Sequence, residues 1–453
     1  MDELENWDDS KLNKERYKWI ISLGMADFLD AFLLVTAGVV ITLLLINFPY
    51  MSVFTEGFVA FSLSFGVFFG AFFGGRLGDK YGRKVIFMWD MLLLAIASLI
   101  DGFSINPVMF IIIFFFVGIA LGADVPTSWS MIAEFSPKKS RNFAIAIPYT
   151  MWVLAIPVVY TVDLAVTDFH AGLYSFRILL WIITVIALVV FISRRQVIES
   201  PRWLLINGKT KDFNQLTKNY TSGQPAKGND NNGVNFNERL TFSKFLKKGK
   251  FRKYFVLMIV MYIAWGLYAS TFGTFTIFIY PGLGIKTLLD ITIVTWVLEI
   301  VSISFELWWN KFNTRFSRNM AFTPIFAGAV VFVAVVAISS FLVNPVIGII
   351  GLVGFTTLST MVSPMIRTWS VEMWPTEIRT TVQGQIWSYM RLASAAWLFA
   401  GPVLLAIIKD PGYLAIVVVF VLIVLIISTK LPNTNNVSLE EVRNNLEAGK
   451  WNT

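Results

Sequence analysis

The sequence predicts an all-α membrane protein with twelve transmembrane helices in two pseudo-symmetric bundles of six. Composition is the first observation: of the 453 residues, 56% are hydrophobic and 15% charged, and the mean hydropathy is +0.66. A soluble domain is nearer a quarter charged, so the surplus apolar surface must face lipid. The other two observations are apolar segments of membrane-spanning length and an internal repeat.

Stretches of about 20 apolar residues mark transmembrane helices. Twelve are predicted, at 18–46, 53–75, 85–104, 107–135, 141–166, 173–193, 253–280, 287–309, 319–342, 345–366, 379–407 and 411–430. The polar stretch SGQPAKGNDNNG between the sixth and seventh has a flexible composition. The predicted organisation is therefore a tail, a first bundle, a linker with short amphipathic helices, a second bundle and a tail, at 1–17, 18–193, 194–252, 253–430 and 431–453.

The basic residues are concentrated on one side of these spans. Residues 194–253 carry 14 Lys and Arg against 4 Asp and Glu, and the turns at 76–84, 138–141 and 311–318 are also basic. By the positive-inside rule, we expect these loops and both termini in the cytoplasm of a multi-pass cell-membrane protein. The net charge of +8 then reflects topology and does not indicate nucleic-acid binding.

Metal and redox chemistry are disfavoured by the composition. The chain has no Cys and one His, which excludes disulfides and thiolate sites and disfavours zinc or haem. No cofactor is predicted. The N-terminal residues show no signal-peptide pattern.

Two segments of the first half recur in the second. EFSPKKSR and EMWPTEIR share the pattern E-x-x-P-x-x-x-R, with three pairs each 238 residues apart: Glu134 and Glu372, Pro137 and Pro375, Arg141 and Arg379. GRLGDKYGRK at 75–84 is echoed, 231 residues later, by ELWWNKFNTR at 306–315. Two related six-helix halves are typical of transporters whose site lies between the halves at the bilayer midplane.

The segment GRLGDKYGRK joins the second and third predicted helices. Gly75 permits close helix packing and Gly82 a tight turn, Asp79 can approach a helix N-terminus of the other half, and Arg83 holds the loop inside. The segment resembles the signature loop of the major facilitator superfamily, which implies that fold. We expect Asp79 to help latch the cytoplasmic side in the outward-facing state.

The segment ESPRWLL at 199–205 resembles the sugar-porter branch of that superfamily and its organic-ion and metabolite:proton symporter relatives. The two E-x-x-P-x-x-x-R segments share this resemblance. It implies a cytoplasmic charge network between the halves, made by Glu134, Arg141, Glu199, Arg202, Glu372 and Arg379. Such ion pairs can favour one state of a rocking cycle; solvated loop charges are the alternative.

Other motifs depart from those of a plain sugar porter without excluding one. GADVPTSWSMIAEFSPKKSR resembles a segment of phosphate:proton and aromatic-acid:proton symporters, and FLDAFLL resembles their first-helix motif, with Asp30 in the first acidic place and Leu33 in the second. Phe114 stands where sugar porters carry an arginine. Arg391 resembles the eleventh-helix arginine of organic anion transporters and aromatic-acid symporters.

Helix rise places several charges near the midplane. Asp30 is 12 residues from Lys18, which is about 18 Å along a helix, and similar counts place Asp27, Asp124, Glu299 and Arg391 at that depth. Intramembrane ionisable groups are functional candidates, and a buried carboxylate can carry a proton. Asp30 is the predicted proton carrier, followed by Asp27 and Asp124; a structural hydrogen bond is the alternative for each.

Arg391 keeps its charge and must therefore pair with an acid or a substrate anion. Two hypotheses stay open: a permanent pair with Glu299, or a bidentate clamp on a carboxylate or phosphate. Further substrate-binding candidates are polar or aromatic residues of the second half: Tyr262, Trp265, Tyr268, Trp296, Tyr389 and Gln385.

These features predict a secondary transporter that works by alternating access, as a monomer in the lipid bilayer. Proton symport of a small organic anion is the first hypothesis. A proton-coupled or facilitated sugar or polyol transporter is second, and a phosphate:proton symporter third. A non-transporting nutrient sensor is the alternative from another class. No enzyme is expected, because nothing reads as a nucleophile–base pair, a phosphate-cradling loop or a metal cluster.

Overall fold

The computed structural model describes Trp7 and residues 12–137, 140–168, 175–220, 242–247, 249–274, 276–342, 344–435, 437, 439, 441 and 442. Most of the predicted N-terminal tail, the centre of the linker and the end of the C-terminal tail lie outside these residues.

Long helices make up both halves. The first half contains α1 to α6, at Lys14–Asn47, Val53–Tyr81, Arg83–Asp101, Pro107–Phe135, Arg141–Asp168 and Ser175–Arg194. The second begins with α7 to α10, at Gly249–Thr274, Leu288–Phe312, Arg318–Leu342 and Pro345–Glu372. The last helix, Arg379–Ser428, is broken at Lys409, whose φ is 55°, and its parts are α11 (379–408) and α12 (410–428). The linker residues that the structure describes form the short helices Pro201–Ile206, Thr210–Tyr220 and Phe242–Lys247.

The predicted all-α fold is confirmed. By length and composition, ten described helices can cross a membrane. The remaining two of the twelve helices, α3 and α11, are more polar. Helix α3 packs against α4 and α6, and α11 packs against α2 and α7.

The 238-residue repeat extends through α4 and α10. Asn106 and Asn344 cap the two helices by accepting backbone N–H groups of the first turn. Pro107 and Pro345 follow as the first helical residues, where a missing N–H costs no hydrogen bond. Both helices also contain an internal proline at corresponding positions, Pro126 and Pro364. The two halves thus share local structure as well as the E-x-x-P-x-x-x-R motif.

The halves touch at both ends of the bundle. At the end that carries Arg83, Arg141, Arg318 and Arg379, here called the basic end, Gly75 of α2 crosses α11 so closely that a Cβ on it would meet the Thr380 carbonyl oxygen at 2.5 Å. At the opposite, or far, end, a Cβ on Gly38 of α1 would meet the Thr274 oxygen at 2.2 Å. The structure is therefore a closed form, narrow at both ends.

We expect Gly384→Ala to weaken closure of the basic end. Its Cβ would meet the Ala71 carbonyl oxygen at 2.4 Å, so α2 and α11 must separate. Overpacking of this kind costs about 1–3 kcal/mol, or roughly 5- to 150-fold in a two-state equilibrium. Because the natural chain has no cysteine, a single Thr381→Cys reports opening by its rate of maleimide labelling, which should rise.

Gly328→Ala is the matched control for this experiment. It makes the same change in α9, where the added methyl meets only the end of the Leu358 side chain at 2.8 Å. Equal labelling rates in both variants and the parent would contradict the role assigned to the α2–α11 contact.

Candidate functional site

A small cavity lies between α5 of the first half and α7, α8 and α10 of the second. Its volume is about 70 Å³, well below the roughly 300 Å³ at which typical small-molecule pockets begin. Aromatic rings and hydroxyl groups dominate its wall: Tyr149, Trp152, Trp265, Tyr268, Phe272, Thr276, Tyr280, Thr295, Phe355, Thr356, Ser359 and Thr360. One carboxylate, that of Glu299, completes the polar lining among the described residues.

A buried ion pair joins the halves directly behind this wall. Arg367 of α10 donates to one carboxylate oxygen of Asp27 on α1, and the indole N–H of Trp129 donates to the other at 2.7 Å. The Arg367 guanidinium lies over the ring of Trp129 at 4.3 Å and over that of Tyr149 at 4.8 Å. Asp27 is therefore held by both halves, and Arg367 is a residue that the sequence did not predict here.

A second ion pair involves the two residues expected at the midplane. Arg391 of α11 donates to Asp30 of α1, and the indole N–H of Trp152 donates to the other Asp30 oxygen at 3.1 Å. The hypothesis that Glu299 is the internal partner of Arg391 is wrong, because Arg391 forms its ion pair with Asp30 of α1. Asp27 and Asp30 share one helix face, as expected, but each is neutralised by its own arginine.

The other residues predicted to line the cavity either line it, are buried outside its lining, or point elsewhere. Trp265, Tyr268 and Glu299 line the cavity, and Tyr268 also shares a hydrogen bond with Ser359 at 3.1 Å. Tyr262 and Gln385 are buried outside the lining, and Tyr262 packs on Trp265.

Two predicted cavity residues point elsewhere, which corrects their assignment. Trp296 donates to Thr161 at 2.8 Å where α8 meets α5. Tyr389 is 39% exposed on the outside of the bundle. Neither residue is among those that line the cavity.

Asp124 lies away from the cavity, which corrects its assignment as a midplane proton candidate there. Arg194 at the end of α6 binds both its carboxylate oxygens, at 2.8 and 2.9 Å, and Ser128 donates to it at 2.7 Å. Arg194 also lies 3.7 Å from Asp90. These contacts lie within the first half, so Asp124 stabilises that half and does not face the second.

Two charge clusters at the basic end mirror one another across the halves. Glu134 accepts from Arg83 of its own half at 3.2 Å and from Arg379 of the other half at 2.6 Å. Glu372 accepts from Arg318 of its own half at 2.6 Å and from Arg141 of the other half at 3.3 Å. All of these side chains are buried, so the network joins the halves in this closed form.

The signature loop adds contacts to the same end. Asp79 accepts the backbone N–H of Thr381 at 2.7 Å, in the first turn of α11, where the positive end of the helix dipole favours a carboxylate. Gly82 begins α3 with a φ of 108°, which suits glycine.

The two linker residues assigned to this network, Glu199 and Arg202, both contact the first half. Glu199 accepts the backbone N–H groups of Arg83 and Lys84 at 3.3 and 3.1 Å. Burial raises the pKa of Glu199 above its ordinary value, and the N–H groups oppose that effect. Arg202 donates to the Glu134 carbonyl oxygen at 3.0 Å.

Comparison with known proteins identifies this architecture. The family model of the sugar (and other) transporters matches residues 13–446. The chain belongs to that family, in the sugar-porter branch of the major facilitator superfamily. It is therefore a membrane transporter and not an enzyme.

Individual relatives are distant but cover most of the transporter. The minor myo-inositol transporter IolF of Bacillus subtilis (strain 168) is 26% identical over 81% of this chain and 79% of its own length. The arabinose-proton symporter of the same organism is 25% identical over 86% of this chain and 87% of its own. The fold matches the proton:xylose symporter XylE bound to 6-bromo-6-deoxy-D-glucose, with a TM-score of 0.76, 18% identity, and coverage of 96% of this chain and 100% of that one.

Arg367 and Arg318 were not predicted as buried ion-pair residues, because each lies just beyond the end of a predicted span. The tenth predicted span ended at 366, so Arg367 fell at its edge, whereas α10 continues to Glu372. Arg318 was counted among the basic loop residues, yet it is buried against Glu372. The 238-residue repeat could have indicated Arg367, because it lies 238 residues after Trp129. Both side chains bind Asp27.

Proposed function

We propose that this transporter moves a small neutral polyhydroxylated solute, a sugar or a cyclic polyol, together with protons. We further propose that it acts as a monomer in the cell membrane with the basic end in the cytoplasm. One observation carries the choice of solute: the described residues that line the cavity include no Lys or Arg, while Arg367 and Arg391 lie behind the wall in ion pairs. A solute in this cavity meets no free positive charge.

The cavity wall supports recognition of such a solute. Rings such as Trp152, Trp265 and Tyr268 offer flat faces to the C–H surface of a sugar or polyol ring. The hydroxyls of Thr295, Ser359 and the other small polar residues can exchange hydrogen bonds with its hydroxyl groups. Binding pockets commonly combine mostly apolar walls with a few placed polar groups in this way.

The Asp30–Arg391 pair supports proton coupling. It spans the two halves, and both side chains are almost completely buried. A proton on Asp30 removes the charge that holds Arg391 and so weakens a contact that alternating access must break. The names of the relatives agree in class, since one is a minor myo-inositol transporter and another an arabinose-proton symporter.

An organic anion, our first hypothesis from the sequence, is less well supported than the sugar or polyol. It depended on Arg391 as a clamp, but Arg391 is committed to Asp30. The described lining of the cavity offers an anion no other Lys or Arg side chain. Phosphate meets the same obstacle.

A thermal-stability screen tests the solute class. Ligand that binds only the folded protein stabilises it by about 2.7 kcal/mol at 100 times Kd. We expect sugars or cyclic polyols to raise the Tm of the purified transporter, and carboxylates and phosphate to leave it unchanged. The Trp265→Ala variant should lose this shift. A Tm raised by carboxylates alone would contradict the proposal.

A further inference from the structure

Two carboxylates of α8 stand apart from the other buried acids that join the halves. Glu299 is 8% exposed and Glu306 is fully buried. Within the part of the chain that the structure describes, no Lys or Arg nitrogen lies within 4.0 Å of either carboxylate. By contrast, Asp27, Asp30 and Glu134 each bind an arginine.

Their hydrogen bonds do not replace a basic partner. Thr150 donates to one Glu306 oxygen at 3.2 Å, and the other oxygen has no donor among the described residues. Burial of an isolated carboxylate ion costs several kcal/mol, so such a group takes up a proton instead. The closed form therefore favours the neutral acids.

The groups that face them from the packed helices leave this conclusion intact. Tyr149 of α5 and Tyr280 after α7 lie near Glu299, and Arg367 of α10 acts on Glu306 from beyond ion-pair distance while bound to Asp27. The other charged residues of α5, α10 and the turn after α8 whose side chains the structure describes are Arg141, Asp163, Glu372 and Arg315. Arg141 and Glu372 bind each other at the basic end.

The two acids lie on one stripe of α8 that leads from the cavity toward the basic end. They are seven residues apart, two helical turns or about 10 Å. Beyond Glu306 a buried amide track continues: Asn313 donates to Asn310 at 3.0 Å and Asn142 donates to Asn313 at 3.3 Å. Arg318 then donates to Asn142 at 2.7 Å, which joins the track to the Glu372 cluster.

The repeat shows that these acids are not part of the shared packing plan. At the spacing of 231 residues, Glu299 and Glu306 correspond to Phe68 and Gly75 of the first half. Helix α2 therefore folds without a carboxyl group at either of these two positions. The acids are thus an addition specific to the second half.

We propose that Glu299 and Glu306 form a second proton-binding pair, separate from Asp27 and Asp30. Glu299 exchanges its proton with the cavity, and Glu306 exchanges its proton with water that reaches it past the buried asparagines when the basic end opens. The use of this pair in symport rests on the proposed function. The protonation of the two glutamates does not.

Infrared spectroscopy of the transporter in lipid nanodiscs, without solute, tests the pair directly. At neutral pH, the wild-type chain should show the carbonyl stretch of protonated carboxylic acids. E299Q and E306Q should each lose part of that band. Asp290→Asn changes an exposed acid of the same helix and should leave the band intact. A band unchanged in both glutamine variants overturns the proposal.

A second readout separates this proposal from the proposed function. In proteoliposomes, E299Q and E306Q should lower the number of protons moved per solute. If the infrared band is lost but no solute moves protons in the wild type, the proton-binding pair stands and the symport function fails. If transport is proton-coupled and the ratio is unchanged in both variants, the pair has no part in coupling and that element of the proposal is overturned.

Discussion

Asp30→Asn is expected to abolish accumulation of solute against its gradient while leaving exchange of solute across the membrane intact. Asparagine keeps the shape of the side chain but neither holds the charge that binds Arg391 nor releases a proton. The ion pair between the halves is then absent at every stage of the cycle. Proteoliposomes with an imposed pH gradient should show uptake that stops at equal concentrations inside and outside.

The unpaired Arg391 in this variant needs its own control. Removing one member of a buried pair costs roughly 3–5 kcal/mol because the other charge is left uncompensated. The double variant Asp30→Asn with Arg391→Gln removes both charges, so it should recover stability but not accumulation. Asp101→Asn changes a buried acid of α3 that binds Ser104 within the first half, and it should accumulate normally. Full accumulation by Asp30→Asn would clear Asp30 of the coupling role.

Glu134→Gln is expected to open the basic end. Glu134 holds Arg83 and Arg379 together across the halves, so its loss leaves two buried guanidinium groups without their shared carboxylate. A loss of 3–5 kcal/mol in the closed form corresponds to roughly two to four powers of ten in the open-to-closed ratio. Maleimide labelling of Thr381→Cys should become much faster, and transport should slow because one state dominates.

Glu199→Gln is the matched control for Glu134→Gln. Glu199 lies at the same end and is half-buried, but it accepts backbone N–H groups of Arg83 and Lys84 in the first half and of Ser200 beside it in the linker. Its loss should not change labelling of the α11 cysteine. If both glutamine variants label at the parent rate, the charge clusters do not control closure.

The fold could be predicted largely from the sequence because its signals are local and repeated. The lengths of the apolar segments predict the helices. The correspondence of Glu134 with Glu372 and of Arg141 with Arg379 in the repeat predicts the two halves. The loop at 75–84 also located the contact of Asp79 with the first turn of α11. These features depend on the spacing of residues along the chain, which can be read directly from the sequence.

The partners of the midplane charges could not be predicted, because depth does not give rotation about a helix axis. Depth placed Asp30, Glu299 and Arg391 together, but α1 turns Asp30 toward α11 while Glu299 faces the cavity. The same ambiguity put Asp124 in the cavity, although α4 turns it toward Arg194. The choice between an anion and a neutral solute depended on that rotation.

In the proposed function, a neutral solute and protons move together. Its most direct test is a pH-sensitive dye enclosed in proteoliposomes, with sugars, cyclic polyols, carboxylates and phosphate added outside in turn. We expect a sugar or polyol to acidify the interior in step with its own uptake, and carboxylates and phosphate not to do so. Sugar or polyol uptake without any proton movement, or acidification driven by a carboxylate alone, would contradict it.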